Sequence, residues 1–188
     1  MASANRTAYA ILGLLAQGPK TGYEIKQVVE QTISHFWKES YGHIYPTLNH
    51  LIAEGQVTRG AETGLTGNRQ RYLITAAGEE TLKAWLAVPV EMEGTRNELA
   101  LKLYFGHLVA PAVSHAHLAA HREQNQRMLA RFREAQPDLE QQLAAGAPEA
   151  LYHMMTLSLG LHIAQARVAW CDAALQLLAA TAHDDPDA

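Results

Sequence analysis

The sequence predicts a mostly α-helical chain with one small β-hairpin before its midpoint and long helices in its second half. Apolar residues recur at three- and four-residue steps through most of the 188 positions. The period changes toward two only in two short segments between residues 56 and 75, on either side of a glycine-containing turn. Aromatic residues make up 7% of the chain and β-branched runs are scarce, which disfavours an extensive sheet.

"TAYAILGLLAQG" (7–18) predicts the first helix: Ile11, Leu12, Leu14 and Leu15 pack, and Gly18-Pro19 stops it. "TGYE" (21–24) has the S/T-x-x-E form of a capping box, with Thr21 accepting from the N–H of Glu24 while Glu24 reaches back. A second helix then runs from about Gly22 to Ile33, with Tyr23, Val28 and Val29 near its buried side. "SHFWKES" (34–40) is a connection. In "YGHIYPTLNHLIAEG" (41–55), Ile44, Leu48, Leu51 and Ile52 form one apolar stripe. Proline lacks an N–H and is well tolerated only in a first turn, so Pro46 requires this third helix to start near Gly42 or His43. Gly55 closes it. The outer face carries His43, Pro46, Thr47 and His50, flanked by Tyr45 and Asn49.

"QVTRGAE" (56–62) and "RQRYLIT" (69–75) are strand candidates, joined by the hairpin turn "TGLTGN" (63–68). "TAAGEETLKAWLAV" (75–88) returns to helix, with Leu82, Trp85 and Leu86 expected inside. Three helices, a two-stranded wing and a fourth helix, in that order, make a winged helix-turn-helix.

"PVEMEG" (89–94) marks the predicted boundary between a first domain, 1–88, and a helical second domain, 89–188. "TRNELALKLYFGHLV" (95–109) is a helix ended by Pro111. "VSHAHLAAHREQNQRMLARFREAQ" (113–136) is a long polar helix with a narrow seam of Leu118, His121, Asn125, Met128, Leu129 and Phe132. Pro137, Gly146 and Pro148 are expected to break the chain around a short "DLEQQLAA". The final helix, 148–181, is apolar over more than half its circumference in "LYHMMTLSLGLHIA". A chain of this size cannot bury that much surface alone, which implies a partner, most simply a second copy.

Net charge is −4, divided as +1 over residues 1–88 and −5 over 89–188. No apolar run reaches the 18 residues of a membrane span, and "MASANRT" lacks the order of a signal peptide, so a cytoplasmic location is expected. The single cysteine, Cys171, excludes an intrachain disulfide and a cysteine-rich zinc site. His117 and His121 stand at metal-ligand spacing beside His115, but no carboxylate or thiol completes a shell, and they read as surface or interface histidines. "GLTGN" has no following Lys-Ser/Thr, and Ser34, Ser40, Ser114 and Ser158 lack a nucleophile elbow. No enzyme, cofactor or metal is expected.

Three strings, "TGYEI", "FWKESYGHIYPTLNHLIAEGQV" and "RYLITAAGEETLKAWL", resemble the N-terminal domain of the PadR family of transcriptional regulators. "NELALKLYFG" resembles the start of that family's C-terminal helical domain. By motif the resemblance covers about residues 7–109, and beyond that it rests on helix pattern and length. It implies a homodimeric winged-helix repressor whose C-terminal helices pair antiparallel in the dimer, bound to double-stranded DNA with a pseudo-palindromic operator. The effector it implies is a small aromatic or lipophilic molecule.

On that reading the third helix is the recognition helix, and Tyr41, His43, Tyr45, Pro46, Thr47, Asn49 and His50 face DNA. Thr47 can meet a thymine methyl or a phosphate; Asn49 and His50 can bond base edges or phosphates. Asn68, Arg69 and Arg71 of the wing would reach phosphates or a minor groove. Family members often carry Lys or Arg where this chain has Asn49 and His50, so affinity would lean on Lys38, Arg69, Arg71 and Arg6. Phe36 and Trp37 have two readings: packing between the second and third helices, or, together with Tyr104, lining an effector pocket. The rival to the whole reading is a winged-helix module for protein partners without specific DNA binding, for which the acidic second half leaves room.

Overall fold

The computed structural model describes residues 3–33, 36, 41–60, 70–90 and 97–183. The chain divides into two compact units, Met1–Met92 and Glu93–Ala188.

In the first unit, α1 (Ser3–Ala16) begins four residues before the expected start and buries Ala8, Ile11, Leu12, Leu14 and Leu15. Gly18 ends it with φ 124° and donates its N–H to Leu15 O at 3.1 Å. Only glycine adopts that angle without strain. The chain then forms a two-residue strand, β1 (Lys20–Thr21), which the sequence pattern did not show. β1 pairs antiparallel with β3 (Arg71–Ile74), and β3 pairs with β2 (Val57–Arg59), giving a three-stranded sheet in the order β1-β3-β2. The expected two-stranded wing therefore has a third strand along one edge. Two residues carry no legible periodicity, which is why it was missed.

The capping box forms as expected. Thr21 N–H donates to Glu24 Oε2 at 2.6 Å and Glu24 N–H to Thr21 Oγ1 at 3.1 Å. α2 (Gly22–Val28) follows, then widens into a π-helical turn at Val29–Ile33. Ile25 and Val29 are its core residues. Tyr23, expected near the buried side, is instead 62% exposed. α3 (Ile44–Ala53) is preceded by a 3-10 turn, Tyr41–His43, which places Pro46 in the first α-helical turn, where its missing N–H is tolerated. Its end is a Schellman motif: Gly55, φ 68°, donates to Ile52 O, and Gln56 N–H to Leu51 O.

Thr75 locks that end to the next helix. It caps α4 (Ala76–Leu86) by accepting from Gly78 N–H, while its hydroxyl donates to Gly55 O and its N–H to Gln56 O. Gly78 lies so close that a Cβ there would stand 2.2 Å from Gln56 O. Along α4, Leu82 packs on the core as expected. Trp85 and Leu86, also expected inside, are 38% and 66% exposed. Trp85 still stacks on Tyr9 at 4.5 Å between centroids, pinning α4 to α1 by a ring face.

In the second unit, Asn97 caps α5 (Glu98–Tyr104) by accepting from Ala100 N–H, and a 3-10 turn, Gly106–Leu108, follows. α6 (Pro111–Ala144) and α7 (Pro148–His183) form an antiparallel hairpin closed by Gly146 at φ 79°. Pro137 does not break the chain: α6 runs through it, and the expected separate segment 138–145 is its last turns. Proline removes one hydrogen bond, but Leu139 beyond it still packs on the hairpin core, so side-chain burial carries the helix past the defect. The seam has a seven-residue period on both helices. Leu118, Asn125 and Phe132 are buried on α6; Ala150, Leu157, Ala164 and Cys171 on α7. His121, Met128 and Leu129 are half-buried beside them.

Candidate nucleic-acid interface

α3 divides into two faces by its own periodicity. Ile44, Leu48 and Leu51 are 6%, 0% and 1% exposed and join the core with α1 and α2, and Ile52 packs at its edge. His43, Tyr45, Pro46, Asn49 and His50 are exposed, and Thr47 is half-buried between the faces. α3 contains no lysine, arginine or carboxylate, so its outer face is a set of neutral donors and acceptors around His50. Such a face bonds by hydrogen-bond pattern and shape, with little fixed charge. Tyr41 lies in the 3-10 turn that leads into it.

Tyr45 is 57% exposed, yet the outer edge of its ring rests on the first turn of α2 at Gly22. The same turn is held by a second residue. Arg71 Nη1 donates to Pro19 O at 3.0 Å, and Nη2 stands 3.4 Å from Glu24 Oε1, the carboxylate of the capping box. The Thr21 N–H, donated to Glu24, holds its carboxyl below the usual range; the Thr21 side chain, Arg71 and Lys20 act in the same direction, and partial burial opposes them. Arg71, expected on the wing and pointing at phosphate, thus has its guanidinium bonded at the base of the sheet.

Of the other wing residues, Gln70 donates to Gly60 O and Arg71 O, which closes the base of the hairpin. Arg59 is exposed at the end of β2 and was passed over in the sequence, where no pattern distinguished it from an ordinary solvated strand residue. Asn68, Arg69, Lys38, Trp37 and the turn 63–68 lie outside the described residues. Arg6 is half-buried on α1. Phe36 is 46% exposed, with its N–H on Ile33 O. Tyr104 is 78% exposed and meets Phe105 edge-on at 5.0 Å. Among the described residues, no three histidine, cysteine or carboxylate side chains converge as a metal site. Nor, among them, is any helix long and apolar enough to cross a membrane.

The model of the transcriptional regulator PadR-like family matches residues 11–84, and that of the virulence activator alpha C-terminal family matches residues 95–179. The negative transcriptional regulator PadR of Bacillus subtilis is 28% identical over 178 residues, covering 90% of this chain and 96% of that protein. The crystal structure of Bacillus subtilis PadR in complex with operator DNA superposes with a TM-score of 0.78 at 25% identity, covering 92% of this chain and 98% of that one. The same protein in complex with p-coumaric acid gives 0.72 at 24%, covering 90% and 96%. The Vibrio cholerae virulence activator AphA gives 0.75 at 27%, covering 93% and 98%. One family model falls on each unit, and a single regulator aligns along nearly the whole length of both. Residues 11–84 carry a PadR-like transcriptional regulator domain, and along nearly its whole length the chain is similar to PadR regulators in sequence and fold.

Proposed function

We propose that the chain is a cytoplasmic, homodimeric repressor that reads a pseudo-palindromic operator with α3 and is released by a small aromatic or lipophilic effector. In this assignment the DNA-binding domain is 1–88 and the dimerisation domain 89–188. The observation that carries the proposal is the exposed outer face of α3, rich in hydrogen-bonding groups and held by a fully buried inner face. Tyr45, Thr47, Asn49 and His50 address base edges, His43, Tyr41 and Pro46 shape the entry turn, and Lys38, Asn68 and Arg69 supply contacts to phosphate. Half-sites would lie about one helical turn, ~34 Å, apart.

Support for the dimer comes from α7. Opposite its buried seam it exposes Tyr152, Met155, Leu159, Ile163, Trp170 and Leu177 in one apolar row. A contiguous exposed apolar row of this kind marks an interaction surface, and a second copy covers it with two-fold symmetry. The effector reading draws on the relative solved with p-coumaric acid and on Phe36, Trp37 and Tyr104 as aromatic candidates. The test is fluorescence anisotropy on the duplex immediately upstream of the protein's own gene, against a scrambled duplex, at two salt concentrations. Selective binding that survives the higher salt is expected. Equal, weak binding to both that vanishes with salt would defeat the proposal for that operator.

A further inference from the structure

Gly22 raises a question that helix physics leaves open. It opens α2 and is buried, but its φ is not in the left-handed region, where Gly18, Gly55 and Gly146 lie. Alanine would suit that backbone and favours helix by about 1 kcal/mol over glycine in a helix interior. What glycine supplies here is space. A Cβ at position 22 would stand 2.6 Å from Cε1, 2.8 Å from Cζ and 3.0 Å from the hydroxyl oxygen of Tyr45. Carbon contacts settle near 3.5–4.0 Å, so a methyl group would push the ring outward by roughly an ångström. The displaced group is the far end of a side chain, so the fold would absorb the shift at small cost. A hydrogen bond from the Tyr45 hydroxyl would not, because it weakens steeply over that distance.

We infer that Gly22 is a positioning residue for DNA recognition: it is the seat against which the Tyr45 ring is set on the outer face of α3. The seat is rigid because the capping box and Arg71 clamp the same turn of α2. The inference rests on the reading of α3 as the DNA-facing helix.

The test is a double-mutant cycle on the full chain, with Gly22→Ala, Tyr45→Ala and both together. Its readouts are anisotropy on the upstream duplex and thermal unfolding. Expected is a Gly22→Ala protein that melts at or above the unsubstituted temperature yet binds about tenfold more weakly, in the range of one lost base contact. The double variant should bind no worse than Tyr45→Ala alone. Losses that multiply, or full affinity in Gly22→Ala beside weakened Tyr45→Ala, would overturn the inference while leaving the DNA-facing reading intact. Full affinity in Tyr45→Ala would remove Tyr45 from the interface, and the inference with it. Should Gly22→Ala fail to fold, recovery of the fold in the double variant would support the same seat, and no recovery would refute it.

Discussion

Arg71 shows how a residue's type and position can be legible while its partners within the fold are not. On the predicted wing, beside Asn68 and Arg69, it is read as reaching phosphates or a minor groove, and nothing near it in sequence points to a partner inside the fold. The partners are Pro19 and Glu24, 52 and 47 residues away in the chain, and only the fold brings them together. Each phosphate neutralised on DNA steepens the salt dependence of binding by ~0.9 in log–log slope. Arg71→Gln should therefore weaken operator binding without lowering that slope, measured by anisotropy from low to moderate salt. A slope reduced by a full phosphate would instead show that Arg71 also contacts DNA directly. Glu24, its partner, makes the capping box acid-sensitive. Its folded pKa lies below the unfolded one, so its stabilisation is complete above the unfolded pKa and is lost as pH falls through the folded pKa. Across the acidic carboxylate range, Glu24→Gln should flatten the decline in melting temperature relative to the parent chain, and an unchanged pH profile would count against this role.

At the scale of elements, the helices of the winged unit were legible because each carries its own punctuation. Gly18-Pro19, the Thr21–Glu24 box and Gly55 all do in space what their spacing announced. The outer residues of α3 were legible for the same reason, since Pro46 and the apolar stripe fix where the helix starts and which side faces out. β1 was not, because its existence depends on β3 and on nothing in its own two residues. The helical unit misled at Pro137, where a strong local signal is outweighed by packing along the hairpin seam on both sides of it. The junction of α3, β2 and α4 is the tightest local arrangement. Gly78→Ala would drive a methyl into the Gln56 carbonyl, which is backbone and cannot step aside as a side chain does. It should destabilise the chain by about 1–3 kcal/mol or more. Denaturant unfolding followed by circular dichroism would measure this, and a midpoint unchanged from the parent would show that the junction is looser than its distances.

For the whole molecule, the decisive property is that α7 is two-sided. One side repeats every seven residues against α6; the other offers an apolar row to solvent. In the proposed dimer, a charge placed in that row should leave the hairpin folded and separate the copies. Leu159→Glu is expected to lower the sedimentation coefficient toward that of a monomer and, with one recognition helix per particle, to weaken operator binding by at least tenfold. A variant that stays dimeric would move the interface elsewhere. The buried side has a practical corollary. Cys171, the chain's only thiol, sits in the seam at 0% exposure, and burial pushes its pKa up, so the thiolate that reacts with labelling reagents is scarce and covered. The native protein is thus already a blank background for spectroscopic reporters. A single exposed replacement such as Glu54→Cys, just past the end of α3, would carry a spin label at one site per chain. The separation of the two labels in the proposed dimer, read by pulsed electron resonance with and without DNA or a candidate phenolic acid, would report whether the spacing of the two α3 helices changes.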